Sequence, residues 1–449
     1  MKRVAEMNDW LSMSATDLGR GIEAGRIDPV TLTETYLDAI ERHAARDRIY
    51  SAVTADRARA EARAASDRAR AGVRLGPLDG VPISWKDLFD SAGVATEAGT
   101  RLLAGRVPAR DARVLRNATL AGLVCLGKTH MSELAFSGLG LNPKTATPPC
   151  VNDANAVPGG SSSGAAASVA FGLAACGIGS DTGGSVRIPA AWNDLVGLKT
   201  TAGRVSLDGV VPLAEKFDTV GPLARSVEDA ALMLAALEGH GRAADLRGAS
   251  LKGRRLATLR TVVLDDIRPE PLAAYEEAVA RLEAAGAIIE PVEAPELAEA
   301  MPMSGVLYTA EAYGTWSEVI EADPDKMFAP ILERFRGGRD VTAAAYVAAW
   351  RRLEVLRGTW AARMAEYDAV LMPSAPNLPP DADKLMQDDA YYVTENLLTL
   401  RNTRVGNLMG LPAVSLPTGR PSCGVMLCGK PMREERLLRL CKAAEAALG

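Results

Sequence analysis

Residues 180–189 read SDTGGSVRIP, and this short stretch is the most informative part of the chain. Two glycines lead directly into Ser185, with Asp181 and Arg187 on either side. Glycine permits backbone conformations in which the N–H groups of residues 182–185 point at one spot. Such N–H groups stabilise the oxyanion of an acyl-transfer intermediate. Taken alone, the segment is more often a structural turn between a strand and a helix, so other segments have to decide between the two.

A nucleophilic serine at position 185 requires a base, and no histidine lies close to it in sequence. The chain contains three histidines, His43, His130 and His240. A serine hydroxyl is a poor nucleophile until a neighbouring group takes its proton. The base for Ser185 is therefore expected from another residue type in a distant segment.

Composition and charge exclude several functional classes. The 449 residues are 48% hydrophobic and 24% charged, which is ordinary for a soluble globular chain with a substantial core. A net charge of −5 gives no basic surface for nucleic acid. The first ten residues lack the apolar core of a signal peptide, and the longest apolar run, 165–178, is too short to span a membrane. We expect a cytoplasmic protein that binds neither nucleic acid nor membrane.

The cysteines and histidines predict neither disulfides nor a metal site. No two of the six cysteines have CxxC spacing, so we expect reduced thiols. No cluster of cysteine and histidine offers a ligand set, and no cofactor or metal is expected. The cysteines are Cys125, Cys150, Cys176, Cys423, Cys428 and Cys441.

The pattern along the chain predicts an α/β fold. Residues 14–72 are expected to be helical, with Ser14 and Asp17 forming a capping box at the start. From about residue 78, short apolar runs with glycine and proline alternate with helical stretches, which favours a sheet with helices on both faces. The further predicted elements are helices at 109–120, 164–176, 226–237 and 433–447, an α/β stretch at 251–296, a helical section at 297–366, and short apolar runs at 369–373 and 413–417.

The stretch GLVCLGKT, residues 122–129, matches the phosphate-loop pattern GxxxxGK[ST] letter for letter. A phosphate loop needs a strand before its first glycine and an exposed backbone between the two glycines. Here a helical pattern precedes Gly122, and the LVCL run has the character of a buried strand. We therefore predict a structural role for Lys128 and no nucleotide site.

The stretch GSSSG, residues 160–164, matches the GxSxG nucleophile elbow around Ser162. That elbow requires a strand immediately before it and a histidine later in the chain. A polar loop ending in proline precedes the match, and the only later histidine is His240. The context therefore argues against Ser162 as a nucleophile.

Three separated segments together resemble the amidase signature family. They are GVPISWKDLFD at 80–90, PGGSSSGAAASVAFG at 158–172 and SDTGGSVRIPAAW at 180–192. Because the likeness runs essentially from end to end, it implies one domain over residues 1–449, built on a mixed, twisted β-sheet with helices on both faces. Within it we expect N-terminal helices at 1–75, the catalytic core at 78–235, and the rest of the sheet with the pocket walls at 236–449.

The resemblance implies a Ser–Ser–Lys triad and so answers the question of the base. Lys86 corresponds to the family's buried lysine, Ser161 to its bridging serine with an unusual cis peptide bond, and Ser185 to the nucleophile. Lysine acts as a base only when neutral, and burial among apolar neighbours lowers its pKa towards that state. The remaining implied site residues are Thr182, Gly183, Gly184 and Ser185 in the oxyanion hole, with Asp181 and Arg187 supporting the loop.

The implied reaction is hydrolysis of a carboxylic or urea-like amide through an acyl-enzyme on Ser185, without a cofactor. One alternative is the ammonia-supplying component of a tRNA-dependent amidotransferase, which takes ammonia from glutamine and works with partner subunits. The sequences RIP at 187–189 and EKFDTVGP at 215–222 favour a free-standing amidase instead. The other alternative, a non-catalytic protein on the same fold, conflicts with an intact triad.

The expected binding partner is a small-molecule amide, and a homodimer is the default oligomeric state. The candidate pocket walls are residues 136–150, Trp192 with Asn193, the aromatic residues Tyr308, Tyr313 and Trp316, and the turn after Pro373.

Overall fold

The structure is a computed structural model that describes residues 9–239 and 242–449. Within these residues, eleven strands form one sheet. The strands are β1 (Tyr50–Val53), β2 (Pro82–Lys86), β3 (Val124–Thr129), β4 (Cys176–Ser180), β5 (Val196–Lys199), β6 (Val220–Ala224), β7 (Arg255–Leu259), β8 (Ile288–Val292), β9 (Ala369–Pro373), β10 (Ala413–Pro417) and β11 (Gly424–Cys428). Their order across the sheet is β1-β3-β2-β4-β6-β5-β10-β11-β9-β7-β8.

Helices occupy most of the connections between these strands. The α-helices are α1 (Ala15–Glu23), α2 (Pro29–Arg42), α3 (Arg46–Ile49), α4 (Ala55–Ala71), α5 (Arg113–Leu120), α6 (Ser163–Ala170), α7 (Arg187–Trp192), α8 (Val227–Glu238), α9 (Pro269–Ala284), α10 (Pro295–Ala300), α11 (Met303–Ala322), α12 (Ala329–Arg336), α13 (Ala343–Arg363), α14 (Ala382–Gln387), α15 (Asp389–Thr399), α16 (Arg401–Leu408) and α17 (Glu434–Leu448). Short 3₁₀ turns lie at Arg101–Leu103, Glu133–Ala135 and Pro324–Lys326. Across the described part of the chain, no helix has the length and apolar character that a membrane crossing demands.

The sheet is mixed, as the sequence predicts. Strand β2 runs parallel to β3 and β4, and β7 runs parallel to β8 and β9, whereas the other pairings are antiparallel. Every residue of β2, β3, β4 and β6 is buried. Strands of this kind need cover on both faces of the sheet, so the predicted α/β class is confirmed. The predicted subdivision of the chain near residues 75 and 236 stays a prediction.

Most predicted elements lie where the sequence places them. Ser14 caps α1 by accepting a hydrogen bond from the Asp17 N–H group, and the runs at 369–373 and 413–417 are strands. The helix predicted at 164–176 is too long, because α6 ends at Ala170. Gly172 has a φ of 73°, a left-handed conformation that ends the helix and turns the chain into β4.

The phosphate-loop match at residues 122–129 is a strand and not a loop. Helix α5 precedes Gly122, and β3 covers residues 124–129. The Lys128 ammonium is fully buried, donates to Thr96 Oγ1 at 2.8 Å and lies 3.1 Å from Asp87 Oδ1. Its role is therefore structural, as predicted from the order of the elements.

Candidate active site

The sheet brings Lys86 to the end of β2 and Ser180 to the end of β4. These strands are parallel neighbours, with Trp85 opposite Ile178, so their carboxyl ends meet at one edge of the sheet. The Lys86 ammonium is fully buried and donates to Ser161 Oγ at 2.7 Å and to Ser180 Oγ at 2.8 Å. The structure thus joins the lysine and the bridging serine that the sequence singles out, and adds Ser180 as a second partner.

Burial changes the acidity of the Lys86 ammonium. Loss of solvation lowers its pKa to about 7, even though the carboxylates of Asp181 and Asp218 act in the opposite direction. An amine with this pKa is substantially neutral near neutral pH, and its free lone pair can then accept a proton. The charge state expected of a lysine base is therefore accessible to Lys86.

Ser161 and Ser185 are held next to each other by the backbone. The Gly160–Ser161 peptide bond is cis, as the resemblance implies. The Ser161 carbonyl accepts a hydrogen bond from the Ser132 N–H group at 3.1 Å, and the next residue, Ser162, donates its N–H to the Ser185 carbonyl at 3.2 Å. The three predicted triad positions therefore lie in one buried cluster.

Asp181 and Arg187 form a buried ion pair behind the loop at residues 182–186, here called the nucleophile loop. Both side chains are 0% exposed, with Arg187 Nε 2.9 Å from Asp181 Oδ2 and Nη2 2.8 Å from Oδ1. Burial by itself would raise the pKa of Asp181, but the Arg187 guanidinium holds it well below its usual range. Asn407 binds both partners, donating to Asp181 Oδ1 and accepting from Arg187 Nη2. This arrangement fits the supporting role expected of the pair.

The contacts of Asp181 correct one detail of the predicted oxyanion hole. The N–H group of Gly184 donates to Asp181 Oδ1 at 2.9 Å, and that of Val186 to Oδ2 at 3.1 Å. Gly184 therefore contributes no free donor, because its N–H points back at the carboxylate. The N–H groups of Thr182, Gly183 and Ser185 donate to no acceptor in the described part of the chain.

Gly184 is required in the loop for its shape. Its φ of 140° lies in a region that side chains disfavour, and a Cβ there would be 2.2 Å from Thr403 Oγ1. The same Thr403 hydroxyl donates to the Gly183 carbonyl at 2.7 Å. Glycine at position 184 thus lets helix α16 pack directly on the nucleophile loop.

Asp218 is a further site residue, which the sequence analysis does not single out. It accepts from Thr182 Oγ1 at 2.5 Å and from the N–H groups of Leu213 and Ala214. Burial raises the pKa of its carboxyl group. Its place in the segment FDTVGP at 217–222, which follows the family pattern, is the sequence feature that could have identified it.

A narrow cavity opens above Ser185. One wall is the nucleophile loop, and the opposite wall carries polar and apolar side chains from distant elements. The lining residues are Ala135, Phe136, Ser137, Thr182, Gly183, Ser185, Leu213, Tyr308, Arg334, Leu400 and Arg404.

Only some of the predicted pocket walls line this cavity. Phe136 and Tyr308 do, whereas the indole of Trp192 is fully buried and donates to the Asn377 carbonyl. The Tyr313 hydroxyl donates to Glu321 on the surface, and the Trp316 indole donates to the Pro212 carbonyl. The arginines of the cavity are absent from the sequence-based set.

The histidines take no part in this cluster where the structure describes them. His43 packs on the Phe171 ring, and the His130 carbonyl accepts from the Gly164 N–H group. His240 lies outside the described residues. In the described ranges, no group of three or more histidine, cysteine, aspartate or glutamate side chains could hold a metal ion.

Comparison with known proteins places the chain in a family. Residues 31–438 match the family model described as Amidase. The chain belongs to the amidase signature family. This membership confirms the predicted enzyme class, which hydrolyses C–N bonds other than peptide bonds.

Similar proteins cover the amidase over nearly its whole length. The 2-amino-5-chloromuconic acid deaminase of Comamonas testosteroni is 35% identical, with 97% of each chain covered. The A-type subunit of the glutamyl-tRNA(Gln) amidotransferase of Moorella thermoacetica is 34% identical, with 96% of each chain covered. The peptide amidase of Stenotrophomonas maltophilia has a structure that superposes with a TM-score of 0.82 at 30% identity, covering 97% of each chain.

Proposed function

We propose that this amidase hydrolyses a small-molecule amide through an acyl-enzyme on Ser185. The observation that carries the proposal is the 2.7 Å hydrogen bond between the buried Lys86 ammonium and Ser161, beside the nucleophile loop. Neutral Lys86 takes a proton from Ser161, and Ser161 takes the proton of Ser185 as its Oγ attacks the amide carbonyl. The proton then returns to the leaving nitrogen, and water attacks the acyl-enzyme by the same relay.

The charge that develops on the carbonyl oxygen needs donors at the nucleophile loop. We assign this role to the N–H groups of Thr182, Gly183 and Ser185, with Asp181 and Arg187 holding the loop in shape. Loss of one oxyanion donor in comparable sites costs about 3–4 kcal/mol of transition-state stabilisation. The proposal needs no cofactor.

The second candidate function is supply of ammonia from glutamine within an amidotransferase complex. It is favoured by the 34% identity to the Moorella thermoacetica protein over 96% of both chains. The departures at residues 187–189 and 215–222 favour the free-standing amidase. We propose a cytoplasmic enzyme, and the six free, buried cysteines support a reducing compartment. A homodimer stays the default expectation for its assembly.

Labelling with a fluorophosphonate tests the nucleophile directly. We expect wild-type protein to gain one phosphonyl group, seen by intact mass spectrometry, and Ser185→Ala to gain none. The matched control is Ser163→Ala, because the Ser163 hydroxyl is equally buried and donates only to the His130 carbonyl. The proposal fails if Ser185→Ala is labelled as wild type is, or if Ser163→Ala alone abolishes labelling.

The pH dependence of catalysis follows from the state of Lys86. Because the neutral amine is the active form and its pKa is about 7, kcat/KM is expected to rise with pH through this value and level off above it. Initial rates on one neutral amide, measured from about pH 5.5 to about pH 8.5, give the profile. A flat profile, or a rate that falls as the pH rises across this range, contradicts a lysine base with this pKa.

A further inference from the structure

An arginine without a counter-ion points into the cavity above the nucleophile. Arg404, on α16, is 9% exposed. Its guanidinium forms no hydrogen bond or ion pair with any residue in the described ranges, and its buried Nε has no partner. Burial lowers the pKa of this guanidinium, and no carboxylate offsets the effect. Uncompensated buried charge is costly, so a residue of this kind needs a functional reason.

A second cation and a free hydroxyl face the same space. Arg334, on α12, lies over the Phe136 ring at 4.4 Å and donates from Nη1 to the Phe136 carbonyl, but pairs with no described carboxylate. Burial and the neighbouring Arg404 both lower its pKa. The Tyr308 hydroxyl is buried without a hydrogen-bond partner in the described part of the chain. Two guanidinium groups and one hydroxyl thus present unused donors to one cavity.

These donors lie directly over the nucleophile loop. A Cβ atom built on Gly183 would be 3.9 Å from Tyr308 Cε2 and 4.0 Å from Arg404 Cγ. Arg334, Arg404 and Tyr308 line the cavity together with Ser185. An anion held by the two arginines would therefore belong to the molecule whose amide carbonyl reaches Ser185.

We propose that the substrate carries a free carboxylate, bound by Arg404, Arg334 and the Tyr308 hydroxyl, at the end opposite its scissile amide. Guanidinium groups bind carboxylates by charge-assisted, often bidentate hydrogen bonds. The other lining residues include the apolar side chains of Ala135, Phe136, Leu213 and Leu400, which suit a short hydrocarbon chain. The substrate class is then the monoamide of an aliphatic dicarboxylic acid.

The lining also argues against an ammonium group on the substrate. No aspartate or glutamate is among the residues that line the described cavity. An α-ammonium group, as in glutamine, would enter beside two guanidinium groups without an acidic partner, and like charges at short range repel. We therefore expect glutaramate, which lacks this group, to be a better substrate than glutamine.

The test compares three amides that share one carbon chain. Glutaramate carries the carboxylate, glutaramide replaces it with a neutral amide, and glutamine adds an ammonium group to glutaramate. With wild-type enzyme, kcat/KM for glutaramate is expected to exceed that for the other two by about 10- to 100-fold, the worth of a charged hydrogen bond. Arg404→Met is expected to remove most of this preference by raising KM for glutaramate, with kcat/KM for glutaramide unchanged.

Two further measurements keep the outcomes distinct, since the inference rests on the proposed function. Glutarate, which has no amide, should slow fluorophosphonate labelling of wild type but not of Arg404→Met or Arg334→Met. Because removal of an unpaired buried cation relieves a cost, Arg404→Met should unfold at no lower temperature than wild type. Normal Ser185 labelling with no preference for glutaramate overturns the carboxylate site alone. Absence of Ser185 labelling overturns the proposed function. Glutamine turned over as fast as glutaramate overturns the exclusion of ammonium and favours the ammonia donor.

Discussion

Replacing Lys86 with methionine is expected to lower kcat by about 10³- to 10⁴-fold while the protein stays folded. Methionine fills a similar volume but cannot take the proton that Ser161 passes on from Ser185. It also removes a group whose pKa is lower in the folded protein than in the unfolded chain. Between about pH 7 and pH 10 the unfolded wild-type chain therefore binds more protons, and wild-type stability rises with pH across this window. The variant should lack that dependence, which urea unfolding at several pH values measures.

Two other variants make the Lys86 result specific. Lys86→Arg keeps a charged hydrogen-bond donor that does not become neutral, so it should be as inactive as Lys86→Met. Lys199→Met removes an equally buried lysine, which donates only to the carbonyls of Thr200 and Leu411, and should retain catalysis. Substantial turnover by Lys86→Arg, or an equal loss in Lys199→Met, would show that Lys86 is not the base.

Replacing Arg187 with methionine is expected to cost about 3–5 kcal/mol of unfolding free energy at pH 7. The change leaves Asp181 charged in the interior, where Arg187 now supplies two of its hydrogen bonds. Without the guanidinium the pKa of Asp181 rises, so the loss of stability should shrink as the pH is lowered and the carboxylate is protonated. Urea denaturation at two pH values measures both effects.

The chain provides a matched control with the same geometry at the surface. Arg247 contacts Asp245 through Nε and Nη2, both at 2.9 Å, but these side chains are 91% and 60% exposed. Water solvates both charges there, so Arg247→Met should leave the unfolding free energy within error of the wild-type value. Equal effects of the two substitutions would contradict the argument that burial makes the Asp181–Arg187 pair costly to break.

The sequence predicts the fold class and the buried cluster well because both depend on local patterns in a fixed order. Glycine and proline around short apolar runs indicate strands at 369–373 and 413–417, and three motifs bring Lys86, Ser161 and Ser185 to notice. The length of α6 is missed because the apolar run continues through Gly172 into β4, and composition alone does not show where a helix gives way to a strand.

The remaining features depend on contacts that a sequence does not display. The N–H of Gly184 differs from its neighbours only because Asp181 folds back under the loop. Arg404 is one of many arginines, and a buried arginine such as Arg187 has a carboxylate partner in Asp181. What distinguishes Arg404 is the absence of such a partner among the described residues, which becomes visible only when distant segments are packed together.

Helix α16 has a consequence for substrate length. Its Thr403 carbonyl accepts from Arg187 and its Thr403 hydroxyl donates to Gly183, while the next residue, Arg404, reaches the proposed carboxylate site. One turn of helix therefore fixes both the loop that holds Ser185 and the cation that holds the far end of the substrate. The two ends cannot move apart to admit a longer molecule without breaking these buried bonds. The helix thus sets a fixed span, and the enzyme would select amides by the number of carbon atoms between their two carbonyl groups.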